Sequence, residues 1–296
     1  MVFLLLPLSA VAAPLSVTEV APGLYVYAGV HEDFSPTNRG AICNLAFIVG
    51  SEAVAVIDVG GSPAVGRDLL ATIRRTTDRP IRYVILTHSH PDHMLGAEAF
   101  FATGAQFIGH ARLPAALASR APSYLANMRT ILGPSLGTPA LPRADRTVAV
   151  GERLWLDLGN RPIELRAWPT AHTDHDLTVF DSMTATLITG DLLFVDRLPV
   201  LDGSLNGWLA VIEELAAVPA RQAVPGHGPP LVPFPAALQP QRQYLADLRR
   251  MVRELVRAGT PLNLAPAAVP APAGWQLVDP NHGRNVTAAY AELEWE

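Results

Sequence analysis

The chain contains no lysine: its 22 cationic residues are all arginine, set against 27 Asp and Glu for a net charge of -5. No basic cluster of five or more occurs in the 296 residues, so nucleic acid is not an expected partner. Beside 27 prolines and abundant alanine, the missing lysine reads as base composition rather than as a device for binding anions. Only one cysteine is present, Cys43, so no intrachain disulfide can form. It lies in the apolar run ICNLAFIVG and reads as a small buried core residue, not a nucleophile. In an oxidising compartment, stability then has to come from the core and any bound metal. The G-x-S-x-G pattern of a serine hydrolase is missing as well. At the N-terminus the apolar run Val2 to Leu8 is far too short to span a bilayer.

What is there is globular: 49% hydrophobic and 17% charged residues, in a length that suits one large α/β domain or two small ones. The N-terminal run is followed by small residues, and Ala10-Val11-Ala12 fits the A-x-A rule for signal-peptidase cleavage. We expect residues 1–12 to be a signal peptide and the mature chain to be periplasmic or secreted.

Short β-like segments fill residues 17 to 60 and close on the turn Gly60-Gly61-Ser62-Pro63. A helix is predicted over 64–77, from Val65, Leu69, Leu70 and Ile73, followed by the strand Arg82 to Leu86. Met94 to Thr103 reads as a helix, Gln106 to Ile108 as a strand, and residues 111–132 as helical. A second β-rich half begins near Thr147 and ends in a helical stripe of Leu205, Leu209, Ile212 and Leu215. The two halves repeat one theme, strands followed by helix, which predicts an α/β fold of two packed sheets with helices outside, a four-layer αββα sandwich. Residues 13–240 are expected to form this domain. Residues 241–296 are expected to form a C-terminal helix and tail packing on it, with Asn285 or Thr287 capping a last short helix.

The chemistry concentrates after the strand ending at Leu86, in THSHPDH. His88, His90, Asp92 and His93 fall within six residues, a pattern that chance gives roughly four times in ten thousand chains of this composition. At the end of an extended segment, side chains two apart point the same way, so His88 and His90 can grip one ion. Asp92 and His93 begin the next helix and suit a second ion. Nitrogen and carboxylate donors without thiolate fit zinc best, although iron and manganese accept the same set. One cluster cannot complete two sites, and more donors follow other strands: PTAHTDHDL (169–177), TGD (189–191) and PGHG (225–228). In the first of these, His172, Asp174, His175 and Asp176 all stand as candidates.

THSHPDH, AHT, TGD and PGHG, in that order, resemble the metal-binding motifs of the metallo-β-lactamase fold hydrolases over roughly residues 18 to 230. The resemblance implies that His88, His90 and His172 bind one zinc, that Asp92, His93 and His227 bind the other, and that Asp191 bridges them. It also implies a supporting role for Asp58, at the end of AVAVIDVGG. Two such ions would hold a water and lower its pKa toward roughly 7, giving a hydroxide nucleophile, with Asp92 placed to hold or shuttle its proton. Asp92 and Asp191 are the expected catalytic carboxylates. Because the family's β-lactamases generally lack the bridging aspartate, an ester, thioester, lactone or amide-like substrate is expected before a β-lactam. RGAICNLAFIVG, DLLFVDRLPVLDGSLNGWLAVIEEL and NVTAAYAELEWE are similar to the exported quinoprotein relay system zinc metallohydrolases, which implies a link to a quinoprotein dehydrogenase system. The alternatives are a mononuclear-iron dioxygenase of the same fold, a class B β-lactamase, or a metal-holding binding protein of the quinoprotein pathway.

Among the remaining residues, His175 stands where the motif usually has a small residue and reads as a rim or supporting group. Asp174 and Asp176 read as turn-forming, with Asp176 orienting a ligand histidine. His31, in GVHEDFSPTNRG, is the candidate for substrate contact. Arg197, Asp202 and Trp208 are candidates for the pocket wall, His110 for a structural histidine, and His282 has no assigned role.

Overall fold

The computed structural model describes residues 13–296; the expected signal peptide lies outside the described residues. Thirteen described strands form two sheets. The first is built from β1 (Thr18–Ala21), β2 (Leu24–Tyr27), β3 (Leu45–Val49), β4 (Val54–Ile57), β5 (Ile81–Ile85), β6 (Gln106–His110) and β7 (Arg146–Val148), neighbours in chain order. The second contains β8 (Arg153–Asp157), β9 (Pro162–Ala167), β10 (Leu177–Asp181), β11 (Thr186–Phe194), β12 (Gln222–His227) and β13 (Val232–Pro233), again in chain order. Strands β4 to β7 run parallel to one another, as do β11 and β12, and the other neighbours pair antiparallel. Parallel pairs need crossovers, and helices supply them: α1 (Pro63–Thr76) between β4 and β5, and α4 (Leu205–Ala216) between β11 and β12.

The expected sandwich is present as three apolar layers. Ile48, Ile57, Ile85, Leu165, Val179 and Ile188 belong to the cluster shared by both sheets. Val65, Leu69 and Ile73 of α1 pack with Phe47 and Val56 on the outer face of the first sheet. Trp208 and Ile212 of α4 join Leu245, Leu248 and Val252 of α5 (Leu238–Arg257) on the outer face of the second. Helix α7 (Asn281–Leu293) adds Val286, Ala289 and Leu293 to that last cluster. Two short helices, α2 (Pro91–Met94) and α6 (Ala265–Ala268), and the longer α3 (Leu113–Leu132) complete the elements used below. Among the described residues, no helix is long and apolar enough to cross a membrane.

Two local expectations are corrected. Residues 97–103 form a 3-10 helix rather than the continuation of a longer helix from Met94; Gly96 and Gly104 flank it, and the chain stays in short turns. Neither Asn285 nor Thr287 caps the last helix, which starts at Asn281 after Pro280. Asn285 sits inside it, fully buried, with its amide spent elsewhere.

Candidate metal centre

The polar residues converge at the C-terminal ends of parallel strands, where the sheets of α/β folds leave room for binding groups. Asp58 follows β4, THSHPDH follows β5, Asp191 lies within β11 and His227 ends β12. His172 comes from the connection between β9 and β10. Side chains 139 residues apart in the chain, from His88 to His227, thus meet because two sheets end at one place.

Each of five histidines is held from outside by a group that accepts one ring N–H. His88 Nδ1 lies 3.0 Å from Thr87 Oγ1, whose own proton goes to Asp58 Oδ2 at 2.7 Å. His90 Nε2 is 3.1 Å from Asp202 Oδ2, and His93 Nδ1 is 2.8 Å from Asp58 Oδ2. His172 Nδ1 lies 2.7 Å from the Val200 carbonyl, and His227 Nδ1 lies 3.0 Å from that of Ile42. A ring that donates outward presents a lone pair inward. The inward atoms of His88, His90 and His172 group with Asp191, and those of His93 and His227 do the same. Asp191 faces both groups: Oδ1 is 3.1 Å from His93 Nε2, while Oδ2 is 3.5 Å from both His172 Nε2 and His227 Nε2. Asp92 Oδ2 lies 3.3 Å from His227 Nε2 and 3.5 Å from His93 Nε2.

Such a cluster fits cations and little else. His88 Nε2 is buried with no hydrogen-bond partner, and His93 Nε2 and Asp191 Oδ1, 3.1 Å apart, are not aligned as a hydrogen bond, a costly state that a bound ion relieves. Protonation states agree. Burial holds His88 well below the ordinary imidazole value, with the neighbouring His93 and His90 adding to the shift. Burial likewise lowers His172 to about 3, against the pull of Asp191. Burial alone would raise Asp92, but the His93 and His227 rings bring it down to about 2, and the same rings hold Asp191 well below the carboxylate range despite its burial. Burial would lower both His93 and His227, but His93 is raised by Cys43 and by the Asp191, Asp92 and Asp58 carboxylates, and His227 by Asp191 and Asp92. Without a cation, protons on these two rings balance the carboxylates; an ion would replace them.

The backbone is shaped to permit this. Asp58 sits in the left-handed region at φ 57°, which aspartate tolerates better than most side chains, and its carboxylate reaches the Thr87 N–H (2.8 Å), the Thr87 hydroxyl and His93. At Gly226 a Cβ would overlap Asp191 Oδ1, so PGHG requires its glycine for the close approach of β12 to the carboxylate.

The remaining candidates divide between expected and unexpected places. His175 is not at the rim: it is 0% exposed. Its Nε2 accepts from the Ser89 hydroxyl (2.8 Å) and the Ser89 N–H (3.1 Å), while Nδ1 donates to Asp174 Oδ1 at 2.6 Å. The bonds follow the order of a Ser–His–Asp triad, but Ser89 is fully buried, so the relay pins the residue between His88 and His90. Asp176 accepts from the Thr173 N–H and hydroxyl at 2.9 and 2.6 Å, closing the turn after His172 without touching that ring. Asp202 orients His90 and is itself paired with Arg120. The ring of Trp208 packs 5.3 Å from that of His172. His110 is structural, bonded to the Trp168 carbonyl and the Arg112 N–H, and His282 meets the Tyr244 hydroxyl at 3.2 Å. Cys43 is buried, as expected, with its Sγ 3.0 Å from the Asp92 carbonyl, and burial pushes its thiol up to about 12.

Two asparagines carry supporting roles with no sequence signal. Asn44 donates to the Pro225 carbonyl at 2.8 Å, and its backbone N–H to that of Gly226 at 2.8 Å, tying the β2–β3 loop to PGHG. Asn285 of α7 bonds the Leu201 N–H (2.9 Å) and the Pro199 carbonyl (2.6 Å). It thereby fixes the strand of chain whose Val200 carbonyl orients His172.

A cavity of about 400 Å³ opens over His90, Asp92, Asp191 and His227, within the range of small-molecule sites. Arg197 lines it, as do Asp33 and Phe34 of the 29–40 loop, whereas His31 does not. Asn281 and Arg284 of α7 reach it from the C-terminal region.

The model of the metallo-beta-lactamase superfamily matches residues 38–227. Among curated proteins, the linear primary-alkylsulfatase of Pseudomonas sp. (strain ATCC 19151) is 40% identical over 53 residues, 18% of this chain and only 10% of that longer protein. Among solved structures, the metallo-beta-lactamase from Pontibacter korlensis is similar at a TM-score of 0.62 and 20% identity, over 79% of this chain and 99% of that one. The inverting sec-alkylsulfatase Pisa1 from Pseudomonas sp. is similar at 0.70 and 18% identity, over 93% of this chain and 50% of that one. These structural likenesses extend the fold across nearly the whole described chain. With 190 consecutive residues matched to its model, the chain belongs to the metallo-beta-lactamase superfamily.

Proposed function

We propose that the chain is an exported hydrolase holding two zinc ions, one on His88, His90 and His172, the other on Asp92, His93 and His227, with Asp191 between them. The observation that carries this reading is the set of five outward-anchored rings whose inward nitrogens surround one carboxylate. When bound, such ions supply Lewis acidity and an activated water.

The chain's own residues do the rest. Asp58, Asp202 and the carbonyls of Val200 and Ile42 fix the ring tautomers, so the donors need no reorganisation on metal uptake. Asp92 is ionised, lines the cavity and can take a proton at Oδ2 as the reaction proceeds. Apolar side chains on the cavity wall exclude water from the substrate's far side.

The favoured substrates are esters, thioesters and lactones. Sulfate esters join them, because two of the similar proteins are named as alkylsulfatases. The stretches similar to the quinoprotein relay metallohydrolases support a role beside a quinoprotein dehydrogenase outside the cytoplasm as part of this proposal.

The test is turnover of a panel of these esters and a chromogenic β-lactam by zinc-loaded protein, with Asp191→Ala as control. Hydrolysis abolished by the substitution supports the reading. One tightly held iron and no zinc would instead favour the dioxygenase, and full zinc with no turnover a binding protein.

A further inference from the structure

The cavity is divided by chemistry. Phe34, Ile42, Met128, Ile131 and Val200 give it an apolar wall, and Arg197 and Arg284 line it as its two arginines. Arg197 is only 6% exposed, a rare state for arginine, which is almost never fully buried unless paired. Its pairing is incomplete. One terminal nitrogen donates to the Glu32 carbonyl at 2.9 Å, the other to Asp33 Oδ1 at 3.2 Å, and Nε is buried with no partner. Asp33 is a weak counterion for it, 55% exposed on a loop and free to turn to water.

The placement of Arg197 is deliberate in the backbone. Residues 197 and 276 form an isolated parallel bridge, Leu198 N–H donating to the Gln276 carbonyl at 3.0 Å. The C-terminal region therefore holds Arg197 in place and also delivers Arg284 from α7. The whole cavity holds three carboxylates, Asp33, Asp92 and Asp191, against these two arginines. Two divalent cations, on the reading proposed above, turn that balance strongly positive, and a positive cleft with apolar walls concentrates anions.

We propose that Arg197, with Arg284 at the mouth, forms an anion subsite, and that the substrate is a monoanionic amphiphile whose acidic head displaces Asp33 from Arg197 while its apolar body lies along Phe34, Met128 and Ile131. Asp33 is the internal stand-in for that head. Arginine suits the task because its planar fork matches carboxylate and sulfate oxygens. Of these residues Asp33, Phe34 and Arg284 lie outside residues 38–227, the stretch matched to the superfamily model, while Arg197, Met128 and Ile131 lie within it. This inference rests on the two-metal reading.

The test uses the full chain loaded with zinc, its metal content counted first. Octane-1-sulfonate, octanoate and octan-1-ol, none of them hydrolysable, are titrated by calorimetry. Both anions are expected to bind at least about tenfold more tightly than the alcohol, the worth of one charge-assisted contact. Arg197→Gln removes most of that preference, and Arg284→Gln reduces it a few-fold. Asp33→Asn raises anion affinity a few-fold, a gain that structural damage does not produce. The ratio of sulfonate to octanoate tells a sulfate-type head from a carboxylate. Equal binding of anion and alcohol, an anion preference untouched in both arginine variants, or a loss of affinity in Asp33→Asn overturns the subsite. A chain that holds no metal at the counting step overturns the hydrolase reading instead, so the two failures are distinct.

Discussion

His172 Nε2 lies 3.0 Å from His90 Nδ1, and in each ring the other nitrogen is committed to an outside acceptor, the Val200 carbonyl for one and Asp202 for the other. Two lone pairs therefore face each other across that gap, an arrangement that is repulsive until a cation or proton sits between them. His172 comes from the second sheet and His90 from the first, so the pair also marks where the two halves meet.

From this pair follows a contrast between neighbours. His172→Ala removes one donor and should abolish both activity and the metal held with His88 and His90. His175→Ala leaves all donors in place and frees Ser89 and Asp174, so metal content should persist while activity falls roughly 10–100-fold, the usual cost of losing a supporting partner. Elemental analysis beside rate measurement checks both. Metal loss in His175→Ala with retention in His172→Ala would overturn the assignment.

Asn285 tests whether the C-terminal helix belongs to the site. In Asn285→Ala the Leu201 N–H and Pro199 carbonyl lose their partner, and the Val200 carbonyl is no longer fixed against His172. We expect zinc affinity to fall roughly tenfold or more, read by competition with a chromophoric chelator. Unchanged affinity would mean that α7 supports the cavity but not the donors.

A pH effect on stability follows from His175. Burial lowers its pKa from 6.5 to about 4, against the opposing pull of Asp174. The unfolded chain thus takes up this proton first as pH falls. The folded state loses stability from pH 6.5 down towards 4 and keeps it in full above that window, a difference of about 2 kcal/mol between pH 7 and 5. In His175→Gln the urea-unfolding free energy of metal-free protein should lose about that much of its pH dependence. An unaltered slope would show that other groups set the acid sensitivity.

Gly226→Ala is a steric test of Asp191. The added methyl competes with Oδ1 for space, so the carboxylate has to swing away from one of the two donor groups. The folded protein should then hold fewer ions than the parent. Retention of full metal content would show that the carboxylate adjusts.

The fold and the gathering of His and Asp side chains into one cluster were legible because both depend on local pattern. Strand-length apolar runs deliver THSHPDH and PGHG to strand ends, and sequence spacing is enough to see it; TGD instead lies inside β11, which runs on to Phe194. For His175 the choice between rim and supporting group was not legible, because its role depends on Ser89, 86 residues earlier, and a histidine beside a ligand says nothing of which way its ring turns. Asn44 and Asn285 were invisible for the same reason: each satisfies backbone groups of a distant loop. The cavity wall was partly legible. Arg197 was a candidate from its nearness to Asp191, but Arg284 reaches the cavity only through the packing of α7 on the second sheet.

The central claim, two ions bridged by Asp191, is tested most directly by metal stoichiometry in protein purified without chelator, parent beside Asp191→Ala. The account predicts two zinc per parent chain and at most one in the variant, with both proteins folded by circular dichroism. A single ion in the parent, or two in both, would contradict it.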